Sequence, residues 1–293
     1  MLPTVTRKRS AKPSVSIVGP GSLGTGLAVG LWRAGYEVRY IVTRAGGKGG
    51  IAARTLSRRV KGKHVELGTQ RLDTDIVWLT VPDDSIEPVA MELAESQSWR
   101  RTVVFHSSGA LSSEELSALW EKGALVASVH PMMTFVRGVK ASWHGVAFAI
   151  EGDDEALWLA ESIARDLGGR PLLLEKRNKA LYHAFGSFAS PMVIALMAAM
   201  EEVAEEAGIP KESAKHIVAP LLAQTLQNYM RGDAAGAFSG PLARGDVQTV
   251  RRHLAQLMRL PEARDVYLAL ARAAIKMLPV KNRAKLEGEL KLR

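Results

Sequence analysis

The sequence contains no cysteine. That excludes disulfide scaffolds, cysteine nucleophiles, iron–sulfur clusters and Cys-type zinc sites, and it fits a reducing compartment, so a cytoplasmic location is expected. No set of His, Asp and Glu has the spacing of metal ligands, so no metal is expected. Long apolar runs are scarce as well. The most apolar helical stretch, 180–200, is interrupted by Tyr182, His183, Ser187, Ser190 and Pro191, which argues against a membrane span. The basic N-terminus is followed by no apolar segment and reads as a loose leader over 1–12, not as a secretory signal.

What is present is the balance of a globular chain. The 293 residues are 47% hydrophobic and 24% charged, enough for one large domain or two ordinary ones. Lys+Arg 39 against Asp+Glu 30 leaves a net charge of +9. Much of the excess sits at the ends, in Arg7-Lys8-Arg9 with Lys12 and in 281–293. Basic ends on a body of mixed charge read as solvated tails, so no nucleic-acid partner is expected. A body that binds anionic cofactors tolerates the same excess.

Two halves follow from the order of elements. Short β-branched or apolar runs at 15–18, 37–43, 75–81, 102–105, 125–129, 146–150 and 172–174 alternate with helical patterns. Strands without polar alternation, separated by helices, predict a parallel sheet covered on both faces. After about Glu175 only helices are expected, over 176–207, 211–229, 245–259, 261–276 and 282–292, with Pro191 bending the first. The fold class is therefore α/β: a Rossmann-like N-terminal domain over 13–174 and an all-α domain over 175–293.

Gly19-Pro-Gly-Ser-Leu-Gly24 has the form G-x-G-x-x-G between a strand and a helix. Gly19 permits the tight turn, and Gly21 lets the backbone approach a pyrophosphate. Ser22 and Leu23 open the helix whose N-terminus favours that charge, and Gly24 allows the helix to pack closely on the sheet. An acid about 20 residues further on would hold the ribose hydroxyls of NAD. This chain has Thr43 and Arg44 there instead. Arg44 suits a 2′-phosphate, Thr43 can donate a hydrogen bond and Lys48 can assist, so NADP is the expected cofactor. Val81 and Pro82 at one strand end, and His106-Ser107-Ser108-Gly109 and His130-Pro131 at two others, face the same crevice. Asp84 is a candidate cap for the helix starting at Ser85, and Ser112 and Ser113 for the helix after the next strand.

Lys179, His183, Ser187 and Ser190 are spaced by four, four and three, which places them along one helix face. Reduction of a carbonyl or imine needs a proton donor near the receiving atom, and lysine or histidine can serve. Lys179, His183, Ser187 and His130 are the candidate catalytic residues, while Tyr182 falls off the stripe. Further on, Asp246 is placed to cap a helix, and Arg244 either binds a substrate carboxylate or pairs with Asp246.

Gly19–Gly24, His106-Ser-Ser-Gly109, His130-Pro131, Lys179-Ala-Leu-Tyr-His183 and 240–246 occur in an order that resembles a family of Rossmann-like oxidoreductases with a C-terminal domain of unknown function, DUF2520. The family is similar to ketopantoate reductase, pyrroline-5-carboxylate reductase and the 3-hydroxyacid dehydrogenases. The resemblance implies a helical C-terminal half, a site between domains and frequent dimers. The helix over 176–207, apolar on several sides through Met192, Ile194, Leu196, Met197 and Met200, predicts a homodimer built on the helical half. Many 3-hydroxyacid dehydrogenases carry Asn four residues after the lysine of this helix; here His183 stands there. The expected function is an NADP-dependent reductase of a small carbonyl or imine compound bearing a carboxylate. The alternative is a non-catalytic NADP-binding regulator or scaffold.

Overall fold

The computed structural model describes residues 12–46, 49–135 and 141–291. Lys48 and the leader up to residue 11, both read above, lie outside the described residues. The chain divides into two compact units at Ser187/Phe188.

The first unit is built on eight strands: β1 Ser14–Val18, β2 Glu37–Thr43, β3 Lys63–Glu66, β4 Ile76–Leu79, β5 Val103–His106, β6 Leu125–Pro131, β7 Ala147–Gly152 and β8 Arg170–Leu173. They form one sheet in the order β3-β2-β1-β4-β5-β6-β7-β8. The chain order reverses beside β1, which pairs in parallel with both β2 and β4, and that reversal opens a crevice at the strands' C-terminal ends. Helices α1 Ser22–Arg33, α2 Gly50–Arg59, α3 Ile86–Ala94, α4 Ser117–Glu121 and α5 Asp154–Asp166 cover it. Along β4, Ile76 and Trp78 are buried in or beside one core with Leu27, Leu31 and Phe105. Val77 and Leu79 join another with Ile86, Leu93 and Trp99. Both faces are buried, which is why this strand reads as an unbroken apolar run.

Two features differ from expectation. The edge strand β3, Lys-His-Val-Glu, was not anticipated, because an exposed edge carries no apolar signature. The sheet is also not wholly parallel: β6 and β7 pair antiparallel. The described residues joining them contain no crossover helix, and a connection without one returns the chain in the opposite direction.

The helices that follow are α6 Lys179–Ala189, α7 Pro191–Glu206, α8 Lys211–Arg231, the single turns α9 Ala234–Ala237 and α10 Pro241–Arg244, then α11 Val247–Gln256, α12 Pro261–Met277 and α13 Arg283–Lys291. The long helix expected to bend is instead broken. Ser190 leaves helical geometry at φ −131°, ψ −83°, and Pro191 starts a new helix at a position where its missing N–H costs nothing. In the second unit Val250, Leu254, Leu268, Ala271, Ile275, Leu286 and Leu290 form the core. α7 buries no residue and α8 only Ala214. The polar interruptions of this stretch do not lower its hydropathy enough to exclude a span: Lys176–Glu206 reaches a mean of 1.4 and has, by length and composition only, what a bilayer crossing requires. The start of that segment is nevertheless tied into the sheet unit through Lys179 and Tyr182, both buried.

Candidate functional site

The glycine turn has the geometry a dinucleotide requires. Gly19 sits at φ +87°, and a Cβ there would lie 2.7 Å from Val81 Cγ1. A Cβ on Gly24 would lie 2.4 Å from Thr80 Oγ1 and 2.5 Å from the Gly19 carbonyl oxygen. The Thr80 hydroxyl donates to that same oxygen at 2.7 Å, so Thr80 pins the turn, a role the sequence does not reveal. Gly21 differs: nothing lies within 4 Å of its Cβ position. The first intrahelical bond of α1 runs from Thr25 N–H to Gly21 C=O, and no side chain caps the helix, which leaves the Ser22, Leu23 and Gly24 N–H groups as donors at its N-terminus. A groove of about 1050 Å³ opens at Gly21 and Ser22 and continues along α1. Closed glycines on either side of an open one, under free helix donors, fit a pyrophosphate.

At the end of β2, Arg44 is exposed. Thr43 is buried, and its hydroxyl shares a 2.9 Å hydrogen bond with His64 Nε2 on β3. His64 was missed along with its strand. Val81 packs beside Gly19, and Pro82 is exposed. Asp84 does not cap α3, whose N-cap position is Ser85 with no side-chain bond; the Asp84 carboxylate accepts the Ser85 hydroxyl instead. Ser112 accepts from Glu114 N–H as a cap, whereas Ser113 turns inward to the Glu151 carboxylate. In the second unit Asp246 caps α11 by accepting Thr249 N–H at 3.0 Å, and Arg244 is exposed.

A polar cluster occupies the C-terminal ends of β5 and β6. His106 is fully buried. Its Nδ1 accepts Ser108 N–H at 3.2 Å while its Nε2 donates to the Ser112 carbonyl at 2.9 Å, which fixes a neutral ring. Burial and the nearby Lys179 push its pKa down to about 3. Ser107 is buried, and its hydroxyl accepts from the Trp78 indole N–H at 2.8 Å. Ser108 is the busier serine: its hydroxyl donates to Asp83 at 2.9 Å and accepts Leu111 N–H at 2.9 Å.

Lys179, only 2% exposed, sends its ammonium to the Ser108 carbonyl at 2.8 Å and to the Ser128 hydroxyl. Burial lowers its pKa to about 8, against the opposing pull of Glu151 and Asp83. Those carboxylates are otherwise engaged, Glu151 by Ser113 N–H and hydroxyl and Asp83 by Ser108. One turn on, the Tyr182 hydroxyl meets His130 Nδ1 at 2.9 Å, with the rings edge to face. Burial raises Tyr182 to about 12 and, with Lys179 and His183 nearby, lowers His130 to about 4. The His130 and His183 ring centroids are 6.1 Å apart, and a Cβ on Gly109 would lie 2.6 Å from His183 Cδ2 and 3.0 Å from His130 Nε2. The absence of a side chain at Gly109 is therefore what lets both imidazoles close over the loop.

The four-residue stripe is thus only partly assembled. Lys179 and His183 join the cluster with His130. Ser187 spends its hydroxyl on the His183 carbonyl of its own helix at 3.0 Å and does not join. Tyr182, set aside by the face argument, is inside: the helix meets the sheet over an arc that takes in neighbouring positions of the turn, not one line of i, i+4 residues.

An α/β unit with a phosphate-ready glycine turn, followed by an all-helical unit, defines a nucleotide-binding two-part protein. Comparison with known families places a Rossmann-like domain over residues 2–131 and the domain of unknown function DUF2520 over 146–274, the pairing the sequence motifs resemble. No curated protein matches the sequence. Among solved structures, one provisionally named an NADP oxidoreductase from Bacteroides fragilis is 20% identical, covers 90% of this chain and 98% of its own, and has a TM-score of 0.73. Protein TM1727 from Thermotoga maritima is 23% identical over 94% and 99%, with a TM-score of 0.71. An imine reductase from Pseudomonas sp. is 19% identical over 95% and 99%, with a TM-score of 0.61. At these identities the likeness establishes a shared fold.

Proposed function

We propose that the chain is an NADP-dependent reductase that delivers hydride to a small carbonyl or imine compound. The observation that carries this reading is one of placement. The glycine turn follows β1, and the Lys179–His130–Tyr182 cluster stands at the ends of β5 and β6; since β1 to β6 are mutually parallel, both lie on the same edge of the sheet. The bound nicotinamide would supply the hydride. The chain's own residues bind and orient: Gly19, Gly21 and Gly24 with the α1 N-terminus take the pyrophosphate, and Arg44 takes the 2′-phosphate. Lys179 shapes the loop through the Ser108 carbonyl and supplies positive charge from a buried position. The fold shared with an NADP oxidoreductase and an imine reductase supports the same class of chemistry. The test is NADPH consumption against a panel of 2-oxo acids, aldehydes and cyclic imines, with Lys179→Met as control. The variant is expected to lose about 10²–10⁴ in turnover while keeping NADPH affinity. Wild-type turnover in Lys179→Met would remove the lysine from the mechanism.

We further propose that the helical unit pairs with a second copy. Met192 and Ile194 on α7, and Ile217, Leu221 and Leu226 on α8, stay exposed, Ile194 to 63% and Leu221 to 66%. Exposed apolar side chains in this number on two helices are characteristic of an interface, and a twofold pairing is the simplest closed way to cover them. Light scattering at micromolar concentration is expected to give a dimer; a monomer alone would contradict the proposal.

A further inference from the structure

We propose that the site is built to reduce a carbonyl and not an iminium, with His130 Nε2–H as the group that protonates the new alkoxide and Tyr182 as the residue that sets this tautomer. The proposal rests on the reductase reading above and narrows its substrate class.

The tautomer follows from hydrogen-bond accounting. Tyr182 is buried, and His130 Nδ1 is the one partner its hydroxyl has among the described residues. If Nδ1 carried the proton and donated to the phenol oxygen, the phenol O–H would be left buried without an acceptor among the described residues, which is costly. Donation by the tyrosine to Nδ1 satisfies both groups. It leaves the imidazole proton on Nε2, which has no protein partner among the described residues. That nitrogen lies 3.0 Å from the Cβ position of Gly109, beside His183, so the donor edge of the ring faces the glycine loop. With His130 held near pKa 4, the ring is neutral at physiological pH and acts as a donor through Nε2 alone.

The chemistry then separates the two substrate classes. Hydride addition to a carbonyl forms a C–H bond and moves the C=O π electrons onto oxygen, so a proton must reach that oxygen. Nε2 gives its proton to the oxygen, Nδ1 takes the phenolic proton of Tyr182, and when solvent reprotonates Nε2 the Nδ1 proton returns to the tyrosine; the balance is carbonyl plus NADPH plus H⁺ to alcohol plus NADP⁺. Hydride addition to an iminium yields a neutral amine with no proton needed. An iminium also brings an N–H with no lone pair to accept from Nε2–H. A fixed N–H donor stabilises developing negative charge on oxygen and has nothing to bond on an iminium nitrogen.

The test uses the full chain with two readouts. In ¹⁵N-histidine NMR, with His130→Asn to assign the signal, His130 is expected as the neutral Nε2–H form, and Tyr182→Phe is expected to lose that fixed tautomer. Predominant Nδ1–H in the wild type would overturn the proposal whatever the activity. In turnover with NADPH, 2-oxobutanoate and butanal are set against 1-pyrroline. Carbonyl reduction at least about 100-fold more efficient than that of 1-pyrroline is expected, with Tyr182→Phe lowering kcat by about 10²-fold and leaving KM nearly unchanged. Reduction of 1-pyrroline as efficient as that of the carbonyls overturns the carbonyl assignment while leaving the reductase reading standing. NADPH binding without reduction of either class counts against both, and failure to bind NADPH overturns the reductase reading itself.

Discussion

The two units solve the burial problem differently. In the sheet unit, cores on both faces are closed within the chain, and even polar side chains such as His106, Ser128, Glu151 and Lys179 are buried with partners. In the helical unit, α11, α12 and α13 close a small core while α7 and α8 leave apolar residues such as Ile194, Ile217 and Leu221 exposed. A buried polar group is retained only where its hydrogen bonds are made, so the first unit's cost of desolvation marks a place where polar chemistry is held in position. An exposed apolar helix carries no such mark; in the pairing proposed above, a second copy would cover it. In that proposal chemistry belongs to the first pattern and assembly to the second.

The largest effects are expected at the glycine turn. Gly24→Val would push side-chain atoms into Thr80 and the Gly19 carbonyl, so loss of stability and of NADPH binding together is expected, the strain being about 1–3 kcal/mol or more. Gly21→Ala has open space and is expected to keep its Tm within a few degrees while NADPH affinity falls about tenfold or more, because the added methyl stands where the pyrophosphate must approach. Thermal melts and calorimetry on the two variants separate a structural glycine from a functional one. Equal behaviour would remove the distinction.

Assembly comes next in size. Ile194→Glu combined with Leu221→Glu places two charges on the exposed apolar faces and is expected to convert dimer to monomer in light scattering. NADPH affinity should be unchanged if the cofactor is held by the first unit alone. A dimer that survives both charges would move the interface elsewhere. A smaller effect is expected at Arg44: Arg44→Ala should weaken NADPH by about 10- to 150-fold, equivalent to about 1.5–3 kcal/mol for a charge-assisted bond, and leave NADH nearly untouched.

A separate effect, on stability, is expected in acid. His106 and His130 ordinarily titrate near 6.5, and the fold holds them near 3 and 4. A depressed folded value means that, as pH falls below 6.5, the unfolded chain takes up protons the folded chain refuses. Stability therefore declines through that window and levels off only near the folded values. Tm measured from pH 7 to pH 4 should fall. His106→Asn, less stable at pH 7, should fall less steeply; an equal slope would mean that His106 does not contribute.

Much of the sheet unit is legible in the sequence, because buried parallel strands and a glycine turn leave local signatures: the runs at 15–18 and 75–81, and Gly19, Gly21 and Gly24, stand where the motif puts them. What is not legible depends on contacts far apart in the chain. β3 is polar because it is an edge, and its His64 reaches Thr43 across 21 positions. The inward turn of Tyr182 depends on His130, 52 positions away, and the engagement of Lys179 on Ser108, 71 positions away. Periodicity could assign α6 a polar stripe, but only the packed sheet decides which turn positions meet it. Nor does local sequence distinguish Ser107, tied to Trp78, from Ser108, tied to the cluster.

NADP binding through the open Gly21, the α1 N-terminus and Arg44, on the sheet edge that carries the Lys179 cluster, is what we propose. Calorimetric titration of the full chain with NADPH and with NADH tests it most directly. The expected result is saturable one-to-one binding of NADPH, at least about tenfold tighter than NADH. Absence of binding by either nucleotide would contradict the account, and equal binding of both would remove Arg44 as the discriminating contact.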